Sequence, residues 1–262
     1  GARHGVAVSN ATAGLHIACL ALGLGPGDRL WTSPNTFVAS ANCGLYCGAQ
    51  VDFVDVKPDT GNLCVTALRE KLQRVQGSAR QPKALVAVHL AGQPCDLAEI
   101  GALCREYGVS LIEDACHALG ARYQGEPIGS CAHSDMTVFS FHPVKPITTG
   151  EGGAVTTRSA ELAARLRLYR SHGITRDPEQ LSVASPGDWY YEQQVLGFNY
   201  RLTDIQAALG LSQLARLPLF IDRRQQLAAR YDKLLTRLPV QPLRQMDDRR
   251  SGYHLYVIRV TD

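Results

Sequence analysis

Three segments of this chain place reactive side chains just past short apolar runs. In "FSFHPVKPITTGEGGAV", residues 139–155, Lys145 stands between Pro143 and Pro146 with no acid beside it. Partial desolvation favours the neutral amine of a lysine, and a neutral amine can condense with an aldehyde; the alternative is a surface lysine in a proline-rich turn. In "SLIEDACHALGA", residues 110–121, Asp114 closes an apolar run and His117 follows about one helical turn on. A carboxylate buried there needs a cation or a hydrogen-bond donor, but a helix-capping Asp114 with His117 as a satisfied imidazole suits the same residues. In "GVAVSNATAGL", residues 5–15, Ser9 or Asn10 ends a run and a helix begins near Thr12. The free N–H groups and dipole of a helix start form an anion site to which Thr12 adds a hydroxyl, unless the feature is an ordinary cap. "GEGG" at 150–153 leads into a strand and not a helix, so it is a weak phosphate loop.

Apolar, β-branched runs occur at 5–9, 29–34, 50–56, 84–90, 110–115, 136–141 and 152–157, and helical patterns separate them. Leu15, Ala18, Cys19 and Leu22 recur at helical spacing, as do Leu97, Ile100, Leu103 and Cys104. The alternation predicts an α/β fold, a largely parallel sheet sandwiched by helices, whose ligands gather beyond the C-terminal ends of the strands. The reactive segments above all follow strands. Residues 176–190, rich in Pro, Ser, Gly and Asp, read as a long exposed loop. Beyond it Thr203 caps a helix to about Leu217, Pro218 marks a break, a second helix runs from about Leu219 to Leu238, and "YHLYVIRV" is strand-like. A large domain over 1–217 is expected, followed over 218–262 by a linking helix and the first strand of a smaller C-terminal domain. With no initiating methionine and an end in a strand-like run, "HLYVIRVTD", the sequence is expected to be trimmed or partial.

Composition narrows the function. Lys and Arg number 27 against 24 Asp and Glu, interspersed, with a net charge of +3; no basic block tracks a nucleic-acid backbone. No apolar run approaches the roughly 20 residues that span a bilayer and no secretory pattern opens the chain, so a cytoplasmic protein without membrane or nucleic-acid partners is expected. The eight cysteines show no CxxC pair and no zinc spacing, which predicts buried reduced thiols and no metal. A nicotinamide-dependent oxidoreductase is disfavoured, because "GLGPG" at 23–27 follows a helix and precedes a strand.

Taken together, a helix start for a phosphate, an aspartate for a pyridinium nitrogen and a lysine for an aldehyde are the three handles of pyridoxal 5'-phosphate. The segments "SNAT", "TFVASAN", "EDACHALGA", "SFHPVKPITTGEGGAV", "RSHG" and "GFNYRLTDIQAALGLSQL" resemble the DegT/DnrJ/EryC1/StrS family of sugar aminotransferases over nearly the whole chain. The resemblance implies a fold type I enzyme in which Lys145 is the Schiff-base lysine and proton carrier and Asp114 pairs with the pyridinium nitrogen. His117 would lie near the cofactor's phenolic oxygen and Phe37 would stack on its ring. Ala11, Thr12 and Ser140 would cradle its phosphate, and Asn199 would reach the phosphate in the neighbouring subunit, which implies a homodimer with shared active sites. Relatives that act as dehydratases carry histidine where this chain has Lys145. The runs "HPVKPITT" and "RSHGI" are most similar to the branch serving pseudaminic acid biosynthesis, which implies transfer of an amino group from L-glutamate to C4 of a UDP-linked 4-keto-6-deoxy-N-acetylhexosamine. Another nucleotide keto-sugar, or a non-catalytic cofactor-binding member, is the alternative. His172 and His254 either line the sugar pocket or are structural.

Overall fold

The computed structural model describes residues 1–260; the last two residues of the strand-like C-terminal run lie outside them. Each of the seven apolar runs forms a strand: β1 (His4–Val8), β2 (Arg29–Thr32), β3 (Gln50–Phe53), β4 (Ala84–Val88), β5 (Ser110–Asp114), β8 (Met136–Ser140) and β9 (Gly153–Thr157). They make one sheet in the order β1-β9-β8-β5-β4-β2-β3. The contacts among β3, β2, β4, β5 and β8 are parallel, whereas β9 pairs antiparallel with both β8 and β1. Between β5 and β8, β6 (Arg122–Tyr123) and β7 (Glu126–Pro127) form a hairpin outside this sheet.

Strand side chains alternate between the two faces, and each face is covered by helices. Leu85, Ala87 and Leu111 pack with α3 (Val65–Val75) and α4 (Leu97–Glu106). Val86, Val88 and Ile112 pack with α1 (Ala11–Ala21), α2 (Ala39–Tyr46) and α5 (Ala160–Arg170). α3 buries Val65, Leu68, Leu72 and Val75, one stripe of an otherwise charged helix. Each such aliphatic side chain contributes about 1.5–3 kcal/mol when fully buried. α1 departs from the single apolar face expected for it: wedged between sheet, α2 and α5, it is buried on every side from Ala13 to Cys19. All eight cysteines are free thiols, six of them buried.

The 176–190 segment is largely exposed and irregular apart from one 3-10 turn at Pro178–Gln180; on its flanks β10 (Ile174–Thr175) pairs with β11 (Glu192–Gln193). Thr203 caps α6 (Asp204–Leu214) through a reciprocal capping box with Gln206. That helix stops three residues short of the expected Leu217. Pro218 is not the break: it lies in the first turn of α7 (Leu217–Leu235), where proline is tolerated because its missing N–H is not needed. The strand-like tail forms only β14 (Ile258–Val260), paired with β12 (Val240–Pro242). Residues 251–257 instead form an irregular strap, described below.

A third short strand of this region, β13 (Arg249–Arg250), pairs with β6, which ties the C-terminal segment to the large sheet's periphery. Arg249, its side chain 5% exposed, donates to Asp96 at 2.8 Å, to Asp248 at 2.6 Å and to the Pro94 carbonyl at 2.8 Å. Lys57 holds the other oxygen of Asp96 at 2.6 Å. Burial opposes ionisation of Asp96, but the hydrogen bonds from Lys57 and Arg249 outweigh it and hold the carboxyl below the usual range. Among the described residues no helix is long and apolar enough to cross a membrane.

Candidate active site

The C-terminal ends of β5 and β8 and the start of α1 open onto one cavity of about 600 Å³, lined by seven of the eight residues singled out from the sequence: Ala11, Thr12, Phe37, Asp114, His117, Ser140 and Lys145. Asn199 is not among them; it is exposed and forms an isolated backbone bridge with Ser171.

The anion end is built by α1. Asn10 is extended (φ −168°), and its Oδ1 accepts the Ala13 N–H at 2.8 Å, so Asn10 is the cap and Thr12 lies in the first turn. The amides of Ala11 and Thr12 belong to the first turn and have no acceptor within the helix. Both residues line the cavity. β9 presses against this turn at Gly153, where a Cβ would lie 2.8 Å from the Phe139 carbonyl and 2.9 Å from the Ala11 amide nitrogen. Only glycine permits that approach, which keeps the helix start at the edge of the sheet. Ser140 presents a hydroxyl from the end of β8, its Oγ accepting the His142 N–H at 3.3 Å.

Asp114 is buried at the end of β5 and its two oxygens are separately engaged. Oδ2 accepts the Ser40 hydroxyl at 2.6 Å and Oδ1 the Cys116 N–H at 3.1 Å. Ser40 spends its only proton on the carboxylate, so Thr36, 2.7 Å away, must donate to the Ser40 oxygen. This Thr36–Ser40–Asp114 chain was missed from the sequence. The available signal was a serine inside the small apolar run "VASA", a position where a buried hydroxyl requires a partner.

His117 lies on a turn after β5 and not on a helix. Its Nδ1 accepts the Ala91 N–H at 3.3 Å, which leaves Nε2 as the protonated nitrogen. Burial, and then the positive charge of Lys145, push its pKa down to about 4, so the ring is neutral above that value. Lys145 sits in a turn closed by its own N–H on the His142 carbonyl at 2.9 Å, and no carboxylate pairs with it among the described residues. Phe37, 71% exposed, stands at the mouth, where His142 and Glu151 face each other at 3.8 Å. "GLGPG" lies in the connection from α1 to β2 with no helix after it, which removes the context a dinucleotide fingerprint requires.

An unpaired ammonium, a fixed carboxylate and a helix start around one cavity suit a ligand carrying an aldehyde, a basic ring nitrogen and a phosphate; the residues present fit pyridoxal phosphate. The surrounding architecture, a mostly parallel sheet flanked by helices with a smaller C-terminal part, is that of the fold type I pyridoxal phosphate transferases. The chain is 33% identical to DesV from S. venezuelae, solved in complex with a ketimine intermediate, with a TM-score of 0.86 over 99% of this chain and 65% of that one. It is 34% identical to PseC from Helicobacter pylori, an aminotransferase involved in pseudoaminic acid biosynthesis, with a TM-score of 0.85 over 98% of this chain and 66% of that one. The spore coat polysaccharide biosynthesis protein SpsC of Bacillus subtilis is 39% identical over all of this chain and 65% of its own length. The chain spans 58% to 65% of the length of the curated relatives it matches. Residues 1–262 match the DegT/DnrJ/EryC1/StrS aminotransferase family, and the chain belongs to that family.

Proposed function

We propose that this protein binds pyridoxal 5'-phosphate and transfers an amino group from L-glutamate to a nucleotide-linked keto-sugar. The observation that carries the reading is the convergence of Lys145, Asp114 and the α1 start on a single cavity. Asp114 would hold the ring nitrogen, Lys145 the aldehyde carbon, and Ala11, Thr12 and Ser140 the phosphate. His117 would donate through Nε2 to the phenolic oxygen, and Phe37 would cover the ring at the cavity mouth. When bound, the cofactor supplies an electron sink for a carbon that loses its proton. The chain's own contribution is to position and to move protons. Lys145 Nζ takes the proton from the amino-bearing carbon of the donor and restores one on the sugar carbon. The Ser40 hydroxyl and the Cys116 amide keep Asp114 turned to the cavity as an acceptor.

The finer reading is a UDP-linked 4-keto-6-deoxy-N-acetylhexosamine aminated at C4, as in pseudaminic acid biosynthesis. It rests on the runs "HPVKPITT" and "RSHGI". The 34% identity to PseC, an aminotransferase involved in pseudoaminic acid biosynthesis, supports it. A homodimer follows if Asn199 reaches the neighbouring site. The exposure of Ile205 (86%) and Leu211 (70%) on α6, just beyond Asn199, supports a covering partner of the same chain.

Borohydride reduction of the protein incubated with pyridoxal phosphate, followed by peptide mass mapping, is expected to place a pyridoxyl group on Lys145. Lys145→Arg should abolish both the adduct and amino transfer. Transfer at a near-normal rate in that variant refutes the assignment, and an adduct without turnover favours a non-catalytic member. A panel of nucleotide keto-sugars tests the sugar.

A further inference from the structure

A segment far along the chain closes the wall behind His117. Residues 251–255 cross the turn that carries it and are fastened through their backbone: the Gly252 N–H donates to the Gly92 carbonyl at 2.9 Å, and the Leu255 N–H to that of Ala91 at 3.2 Å. α7 grips the other side. Arg224 Nη1 donates to the carbonyls of Tyr253 at 3.0 Å and His254 at 3.1 Å, and Gln225 Nε2 to that of Ser251. Tyr253 is held at φ +44°, a conformation a bulky residue keeps only where its surroundings over-determine it. The strap lies so close to the turn that a Cβ on Gly92 would sit 2.8 Å from both the His117 carbonyl and the Tyr253 amide nitrogen.

What this fastening delivers is the imidazole of His254, its centroid 4.6 Å from that of His117 and its plane inclined by 37°. Among the described residues His254 Nδ1 is buried without a hydrogen-bond partner. No hydrogen bond joins the two rings among the described residues, so the contact is one of packed faces. An orphaned buried nitrogen is uncommon and calls for a physical cause. Its cause here is the packing: the ring is used as a slab.

We propose that His254 is a positioning residue for the aminotransferase site: packed against His117, it excludes water from behind that ring and holds it with Nδ1 on the Ala91 amide and the Nε2 proton turned to the cavity. The inference rests on the aminotransferase reading for its catalytic consequence, but on the strap alone for its geometry. His117 would otherwise have two escapes. A ring flip would break the Ala91 bond and present the wrong edge; water entering behind the ring would favour the imidazolium, whose protonated Nδ1 cannot accept the Ala91 N–H. The charged and titratable groups facing His117 are Lys145 and His89, which oppose its protonation, and Asp114, which favours it. Burial leads all of these, and His254 supplies part of that burial. Burial, then His117 and Lys145, push His254 itself down to about 3, so two neutral rings face each other at any pH where the protein would work.

The test is histidine side-chain NMR titration of wild type, His254→Ala and His254→Phe, with and without pyridoxal phosphate. In the wild type His117 should carry its proton on Nε2 and stay neutral down to about pH 4. In His254→Ala the midpoint should rise by at least about one pH unit, a tenfold change in the protonation constant, and the second tautomer should appear. His254→Phe, which retains a slab but no nitrogen, should restore both signals. In the loaded enzyme the alanine variant should lose kcat about tenfold with little change in KM, the pattern of a group that acts on the transition state and not on binding. An unchanged His117 titration in the alanine variant overturns the proposal, and so does a phenylalanine variant no better than alanine. Borohydride labelling of Lys145 in the same samples separates the two ideas. Absent labelling removes the aminotransferase reading and leaves the cofactor-free titration to decide the strap, whereas normal labelling with an unmoved His117 removes the inference alone.

Discussion

Ser40→Ala offers a sharp test of how the site is held. The hydroxyl is fully buried and lies 2.6 Å from Asp114 Oδ2, so its removal leaves that oxygen without a protein donor while Oδ1 keeps the Cys116 amide. A hydrogen bond to a charged group contributes about 1.5–3 kcal/mol, and removing one partner strands the other. For a chain of this size each kcal/mol moves the melting temperature by about 2–4 °C, so a fall of roughly 3–12 °C is expected. Thr36→Val is the internal control. It deletes the outer, neutral bond of the same chain, 2.7 Å from Ser40, and should weaken the fold by no more than about 1.5 kcal/mol. Differential scanning calorimetry of the cofactor-free protein reads both. If Ser40→Ala melts within about 1 °C of wild type, or higher than Thr36→Val, the carboxylate is not organised through Ser40 and the reasoning fails.

Three further outcomes follow from the geometry. Gly153→Ala forces a methyl against backbone atoms of Phe139, Asn10 and Ala11; it should destabilise by about 1–3 kcal/mol and weaken pyridoxal phosphate binding measured by isothermal titration calorimetry. Gly5→Ala, on neighbouring β1 with nothing within 4 Å, should do neither. His117 is pushed from its ordinary 6.5 to about 4 by burial and Lys145; between those values the unfolded chain binds the extra proton. Stability should therefore rise with pH across that window in urea titrations, and His117→Gln should flatten the rise relative to wild type. Arg249→Ala strips a nearly buried cation from Asp96 and Asp248 and should cost about 3–5 kcal/mol in urea unfolding, because it leaves a buried carboxylate half-paired. A loss under about 1 kcal/mol would place that pair among ordinary surface ion pairs.

The sheet was legible because its strands are short, β-branched and buried on both faces, so "ALVAV" and "MTVFS" have few other places to go. The same logic found Lys145, Asp114 and the α1 start, since polar residues at the ends of such strands face one crevice. What escaped was set by partners distant in sequence. "YHLYVI" has the composition of a strand, yet Arg224 takes two of its carbonyls and Tyr253 turns to positive φ, so a strap forms in its place. Ser40 drew no attention because its partner lies 74 positions away. Pro218 misled for a local reason: the same ring that stops a helix from within also suits its first turn.

The pairing of β13 with β6, together with the Lys57–Asp96–Arg249 cluster, has a practical consequence for anyone recombining members of this family. A crossover placed between 218 and 248 would graft a foreign arm onto a host whose Asp96 is paired by this arm's own Arg249 side chain. Exchanges within this family that keep residues 1–257 from one parent would therefore leave the native strap with its own sheet.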